Sequence, residues 1–396
     1  MTKPTANALN KPKSVLLECG KSIHLLIHLL IHGQGVFIFS TDKTNIDFVI
    51  RNADKTDGLK VTYTPESIEV QRLSTGNKYI DTENKRGLIQ KRGAYYWFSL
   101  DSQNCRLYAG IGEARIEDKE FYYQLPPESK SFLEKLVKIK IDKKINPLRL
   151  LRDPITSKVP LLIVDTDDIT MDDIAKGDKI PVANLSLVCQ QLYNCISGSS
   201  FVLDTPDFPD FTKAIQHSID TPGLWCNKKL KQKATEFNPD KPNILETYLR
   251  ITLGRNSGES PGIPYVMEIW PSGHYSPVHG HSGANAIIRI LNGSINVSLY
   301  PFLCPDGIEP FGKADFSKGQ YTWLTANLNS VHQLKNLEIN KDACISMNCY
   351  TYDKEDKVHY DFFDYLDADK EIQHYEPDSD MDFLAFKQLI RNEWTK

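Results

Sequence analysis

The chain has no CxxC pair. Its eight cysteines, Cys19, Cys105, Cys189, Cys195, Cys226, Cys304, Cys344 and Cys349, are scattered. That spacing argues against a zinc knuckle and against a dense disulfide scaffold, and reduced thiols in a cytoplasmic protein are the simplest reading. An excess of one charge is also missing. The formal net charge is −4 over 396 residues, which carries no nucleic-acid footprint. Long apolar runs are missing too. The most apolar stretch, Ile23 to Phe39, holds three histidines, a glutamine and two glycines, too polar to span a bilayer. The polar start MTKPTANALNKPKS reads as a disordered segment, residues 1–13, rather than a signal peptide. No solenoid-type repeat is visible. The acidic run at Asp165, Asp167 and Asp168 lacks the glycine and glutamate of a calcium loop and reads as a solvated loop.

What is present is strand-rich. From residue 14 to about 130, short alternating runs such as VFIFS, DFVIR, LKVTYT and YYWFSL are separated by turn residues, the pattern of a β-sandwich or jelly roll. Residues 131–200 change character and read as a helical connecting region. PPESKSFLEKLVKIKIDKKI looks helical at first. In NLSLVCQQLYNCI, Leu185, Val188, Leu192 and Ile196 recur at helical spacing. DFPDFTKAIQHSI opens a second domain, 201–396, as a helix, and strands return from Asn243.

The chemistry concentrates in GHYSPVHGHSGANAIIRILNG, Gly273 to Gly293. His279 and His281 stand two apart, so on a strand both imidazoles share a face. Imidazole suits first-row transition metals, with iron, nickel, copper and zinc all open. Asn292-Gly293, set between the alternating runs AIIRIL and SINVSLY, predicts an antiparallel hairpin. Further on, SVHQLKN places His332 four residues before Asn336. A lone histidine is more often a satisfied structural residue. Three in these joint spacings favour a ligand set. His24, His28 and His32 share a face on a helix or a strand, but no cysteine or carboxylate accompanies them, and they read as structural.

The run from Gly273 through His279 and His281 to Gly293 resembles the first motif of the cupin superfamily, with Ala286 at its glutamate position. His332 to Asn336 resembles the end of the second motif, without its upstream proline and glycine. Within that superfamily the C-terminal half, roughly 208–365, is similar to the thiol dioxygenases, closest to the cysteine dioxygenase family. The likeness rests on YLRITL at Tyr248–Leu253, on Trp270 nine residues before His279, on the place of His332, and on SMNCY at Ser346–Tyr350. It implies a mainly β fold with a cupin (double-stranded β-helix, jelly-roll) barrel and a few flanking helices, preceded by the β-sandwich. It implies one Fe(2+) on His279, His281 and His332, and addition of both atoms of O2 to the sulfur of a small thiol, L-cysteine first. Arg250 would clamp the substrate carboxylate, since guanidinium presents paired donors that match it. Tyr350 would donate a hydrogen bond to oxygen or substrate. Tyr248, Trp270, Glu268 and Asn348 would line the substrate pocket, with Trp270 and His274 supporting it. The segment YYWFSLDSQNCRLYAGIGE loosely resembles a lectin-like β-domain of the farnesoic acid O-methyltransferase-like group. That makes the N-terminal domain a candidate binder of a ligand or a protein partner.

Three residues depart from the dioxygenase pattern. Ala286 stands where animal enzymes carry the cysteine that links to the active-site tyrosine. Asn348 replaces the histidine of the S-x-H-x-Y segment. Glu268 stands where an apolar pocket residue is usual. Two other readings stay open: a 3-mercaptopropionate dioxygenase, and a non-catalytic cupin with a lectin-like domain that binds a ligand without turnover.

Overall fold

The computed structural model describes residues 12–17, 25–81, 94–141, 145–253, 265–281, 283–352 and 363–395. The start expected to be disordered lies outside these residues up to position 11, as does His24. Two compact units divide at Lys158 and Val159. No helix among the described residues is long and apolar enough to cross a membrane.

The first unit is a sandwich of two six-stranded sheets. One runs Ser14–Leu16, Asn146–Leu151, Gln34–Ser40, Tyr96–Asp101, Arg106–Ile111, Lys119–Gln124; the other runs Leu25–His28, Leu136–Ile141, Ile46–Asn52, Gly58–Tyr63, Ile68–Arg72, Lys78–Ile80. Aromatic rings from the two sheets meet between them. Phe39 packs on Phe48 and on Tyr63 at centroid distances of 5.7 and 5.5 Å, and the Tyr63 hydroxyl donates to the Trp97 carbonyl at 2.9 Å. The sandwich extends past residue 130, which corrects the expected helical connector. Only Lys130–Leu133 is helical there, and LVKIKI forms the strand Leu136–Ile141. Its alternation decides the matter: Ile139 and Ile141 are buried while Lys140 is exposed, a period of two that a helix cannot use. His28 and His32 are exposed and belong to no metal-binding cluster among the described residues.

The second unit is a barrel of two facing sheets. Its eight-stranded sheet runs Lys179–Pro181, Leu162–Val164, Tyr321–Leu324, Asn285–Asn292, Cys344–Thr351, Tyr265–Trp270, Leu249–Leu253, Met381–Asp382. The helices Leu187–Ile196, Phe211–Asp220, Trp225–Gln232 and Phe383–Trp394 share a core with its outer face. The first of them therefore belongs to this unit and is not a connector. Ser186 caps it by accepting from the Cys189 N–H at 3.2 Å. The opposing sheet runs Gly312–Ser317, Ser294–Tyr300, Val331–Lys335, and single bridges at Tyr275 and His279 join it toward Phe363–Leu366.

With helices on one face and the barrel interior on the other, the central strands are buried on both sides. Every residue of Cys344–Thr351 is buried. Alternation then sorts chemistry rather than solvent exposure. Leu249, Ile251, Met267, Ile269, Ile345, Met347 and Cys349 face the helices. Tyr248, Arg250, Glu268, Trp270, Ser346, Asn348 and Tyr350 face inward and line a single cavity.

The Asn292-Gly293 hairpin is not formed. Asn285–Asn292 pairs with Tyr321–Leu324 and Cys344–Thr351, whereas Ser294–Tyr300 pairs with Gly312–Ser317 and Val331–Lys335. The dipeptide instead marks the corner where the chain passes from one sheet to the other. Gly293 has φ +69°, and a Cβ there would lie 2.8 Å from the Ala343 carbonyl oxygen. Gly293→Ala is therefore expected to destabilise the barrel by more than about 1 kcal/mol. The check is the urea midpoint of the barrel's unfolding transition; a midpoint equal to the parent's would refute it.

Candidate metal centre

His279 and His332 are brought together by backbone. The His279 N–H donates to the His332 carbonyl and the His332 N–H donates to the His279 carbonyl, each at 3.0 Å. This reciprocal pair sets the two rings 4.8 Å apart, and His281 lies 4.8 Å from the first and 4.5 Å from the second. The ligand atoms of the three imidazoles all lie within 4.8 Å of one another, close enough to share one ion. The predicted triad thus converges, though not by the expected route. His279 sits in an isolated bridge and His281 precedes the strand that begins at Asn285, so shared strand face does not aim them.

Backbone carbonyls aim them instead. Nδ1 of His279 lies 3.0 Å from the Pro277 oxygen, and Nδ1 of His281 lies 3.0 Å from the Ser330 oxygen. A carbonyl only accepts, so each Nδ1 carries the proton and leaves the Nε2 lone pair free for a metal. This is the usual way a ligand histidine is oriented. Burial keeps the rings neutral. It pushes His279 down to about 4 against the opposing pull of the Pro277 carbonyl, and His281 down to about 3 with the help of His279. His332 is held well below its ordinary value for the same reason, with both neighbouring histidines adding to it. Three neutral, converging imidazoles, His281 and His332 buried and His279 half-buried, fit a divalent transition metal, because ligands must be deprotonated to bind.

The inward row of the large sheet faces this triad. Arg250 and Glu268 are cross-strand partners, and Glu268 is in turn opposite Ser346. Arg250 Nη1 donates to Glu268 Oε1 at 2.9 Å, with side chains only 7% and 4% exposed. The expected clamp is therefore engaged by the chain's own carboxylate. Burial opposes the Arg250 charge, but Tyr248 and then Glu268 more than offset this, and it stays a cation. Burial pushes Glu268 up while Arg250, then Asn348, hold it down. Glu268 is not part of the metal-binding cluster.

Tyr350 lies beside the triad, its ring nearly parallel to that of His281 at 6.4 Å. Asn348 Nδ2 donates to its hydroxyl at 3.2 Å. Burial, with Glu268 nearby, holds the phenol well above its ordinary value, so it remains protonated. Ala286 is the cross-strand partner of Tyr350 and offers it only a methyl group. Tyr248 stacks on Trp270 at 4.0 Å. His274 does not join the triad: its Nδ1 lies 2.9 Å from the Thr247 carbonyl, which makes it an anchor. Asn336 is fully buried and ties the motifs together, donating to the Trp270 carbonyl at 2.8 Å and to that of Asp342 at 3.1 Å.

Some cavity residues gave no signal in the sequence. Phe237, Phe363, Tyr365 and Tyr375 line it from distant segments, and nothing in their local spacing distinguishes them from core aromatics. Asn329, buried with φ +60°, also lines it and donates to the Trp323 carbonyl at 3.1 Å.

No protein-family model matches the chain, and no curated protein matches it. Solved structures with local likeness include the cupin domain of Cnp3 from Schizosaccharomyces pombe, at 18% identity over 27% of this chain and 65% of that one, with a TM-score of 0.21. A cupin superfamily protein from Desulfitobacterium hafniense matches at 13% identity over 27% and 79%, with a TM-score of 0.20. A double-stranded β-helix protein from Klebsiella pneumoniae matches at 13% identity over 27% and 79%, with a TM-score of 0.21. The chain spans about two thirds of the first of these and more of the others. The second unit is a cupin-type barrel by its own strand order, and the likenesses add nothing about activity.

The purified protein is expected to bind about one equivalent of a divalent first-row metal. Replacing His279, His281 or His332 by Ala should each cut retention after dialysis by at least about tenfold, the scale seen when ligand geometry is disturbed. Metal analysis by inductively coupled plasma spectrometry reads this directly. Retention by all three variants would remove the centre.

Proposed function

We propose that the barrel is an iron-dependent thiol dioxygenase, converting RSH and O2 to the sulfinic acid RSO2H. The observation that supports this best is the set of three neutral imidazoles converging beside a protonated phenol in a largely apolar cavity. His279, His281 and His332 would hold Fe(2+) through Nε2. They contribute no negative charge, unlike a set of two histidines and a carboxylate, so the site favours a substrate that arrives as an anion at sulfur. Bound there, ferrous iron supplies the thiolate-binding and oxygen-reactive centre.

The chain's residues do the rest. Carbonyls of Pro277 and Ser330 fix two ligand tautomers. Tyr350 keeps its proton, and its hydroxyl is placed by Asn348 beside the triad, where it can donate to oxygen that gains negative charge. Ile288, Ile290, Val297 and Leu299 form apolar walls that limit water, which strengthens each polar contact inside. Cysteine as substrate, and 3-mercaptopropionate as its rival, both require a free Arg250, and the Glu268 pair opposes both.

Oxygen uptake by iron-loaded protein with a panel of small thiols tests the proposal, with the sulfinic acid identified by mass spectrometry. No uptake with any thiol, at full iron content, would defeat it. Tyr350→Phe should lower kcat by about a hundredfold, the usual scale for a positioned proton donor, while iron content stays unchanged. Equal kcat would remove Tyr350 from the mechanism.

A further inference from the structure

We infer that Glu268 sets head-group specificity: it fills on Arg250 the place a substrate carboxylate would take, so the site accepts an aminothiol unit with no free carboxylate. This rests on the thiol reading above and narrows it. Arg250 and Glu268 are the only Asp, Glu, Lys or Arg side chains among the described residues lining the cavity. They form one buried pair at 2.9 Å. With three neutral imidazoles, the protein's own charge in the cavity sums to zero. No spare cation waits for a second anion.

Displacing Glu268 is not an easy alternative. Its Cα stands opposite that of Arg250 in the ladder, so the side chain is held over the guanidinium by register rather than by a mobile loop. A carboxylate that captured Arg250 would leave the Glu268 charge buried without its partner. Breaking a buried pair in this way is strongly unfavourable, while leaving it intact costs a neutral ligand nothing. A carboxylate that did not displace it would lie against a like charge in a medium of low dielectric.

The polar atoms still open point to what is accepted. Asn348 Oδ1 and Ser346 Oγ are buried and have no hydrogen-bond partner in the structure, and both residues line the cavity. Each can receive an N–H. Arg250 Nε and Trp270 Nε1 are buried donors without partners, and they suit an uncharged acceptor such as an ester or amide carbonyl. A buried polar atom without a partner is costly, and a ligand carrying an amine, with or without a capped carboxyl, satisfies several at once.

The test uses two pairs of thiols that differ at the head group. Cysteamine and 3-mercaptopropionate exchange an amine for a carboxylate. Cysteine methyl ester and cysteine differ chiefly in the carboxylate charge. Full-length protein loaded with Co(2+) is titrated without oxygen, and the thiolate-to-cobalt charge-transfer band reports binding without turnover. Wild-type protein is expected to bind cysteamine over 3-mercaptopropionate, and the ester over the acid, by on the order of a hundredfold. Glu268→Gln keeps the size and a hydrogen bond and removes the charge; it should bind 3-mercaptopropionate at least about tenfold more tightly than wild type does. Equal affinities within each pair for the wild type would overturn the inference, and that comparison needs no variant to fold. An unchanged preference in Glu268→Gln would overturn the role of Glu268. A cobalt site that shows no band with any of the four would overturn the thiol reading itself, a result distinct from a band with the wrong preference.

Discussion

The candidate site depends on one short piece of ladder, the reciprocal backbone hydrogen bonds between His279 and His332. They join the segment after the Gly273 turn to the strand Val331–Lys335, and so bring two ligands together by main chain alone. His281 follows because its ring is tied to the Ser330 carbonyl, next to that same strand. Asn336 holds the frame from below, bonding Trp270 and Asp342 through its amide. Its main-chain carbonyl also accepts from the Gly273 N–H at 2.8 Å. The three imidazoles are thus positioned by obligatory backbone groups rather than by side-chain packing, which gives them a definite geometry.

The second constraint is burial on both faces of the large sheet. Helices cover one side and the barrel closes over the other, so an inward polar residue cannot reach bulk water. In an ordinary half-exposed sheet, Arg250, Glu268, Ser346 and Asn348 would be solvated surface residues. Here each must find a partner inside or wait for a ligand. Arg250 and Glu268 satisfy each other, Asn348 reaches Tyr350, and a residue of open donors and acceptors is left facing the triad. Natural interiors keep such open atoms few, and those of Arg250, Trp270, Ser346 and Asn348 belong to residues that line the same cavity as the triad.

These two constraints explain what could be read from residues alone. The convergence of the three histidines was legible because few residue types bind transition metals and because each half of the pattern, His279 with His281 and His332 with Asn336, is local. The barrel was legible because strand alternation is local too. Pairing is not local, and the misreadings follow from that. Asn292-Gly293 correctly signalled a positive φ, but which strands pair across it is decided by Tyr321–Leu324 and Cys344–Thr351 far along the chain. Leu136–Ile141 was hidden behind a short true helix, Lys130–Leu133, although its alternation of isoleucine and lysine was visible. The Arg250–Glu268 register was the least legible feature. YLRITL suggested a free arginine, and only the ladder shows a carboxylate opposite it.

That register changes the electrostatic character of the whole cavity. With a free Arg250, the site would be cationic before any metal arrived and would draw anions at both ends of a substrate. With Glu268 in place, the protein contributes no net charge, and a divalent ion on neutral histidines becomes the sole uncompensated charge in a low-dielectric space. Attraction is then focused at one point, the metal, and falls on the group that can become an anion there. A thiol meets that requirement, because coordination lowers its pKa. On the proposed function, the rest of the substrate would be left to open hydrogen-bonding atoms and apolar walls. Separating these two tasks, charge at the metal and shape with neutral polarity elsewhere, is what a buried ion pair facing a three-histidine centre would accomplish in the proposed enzyme.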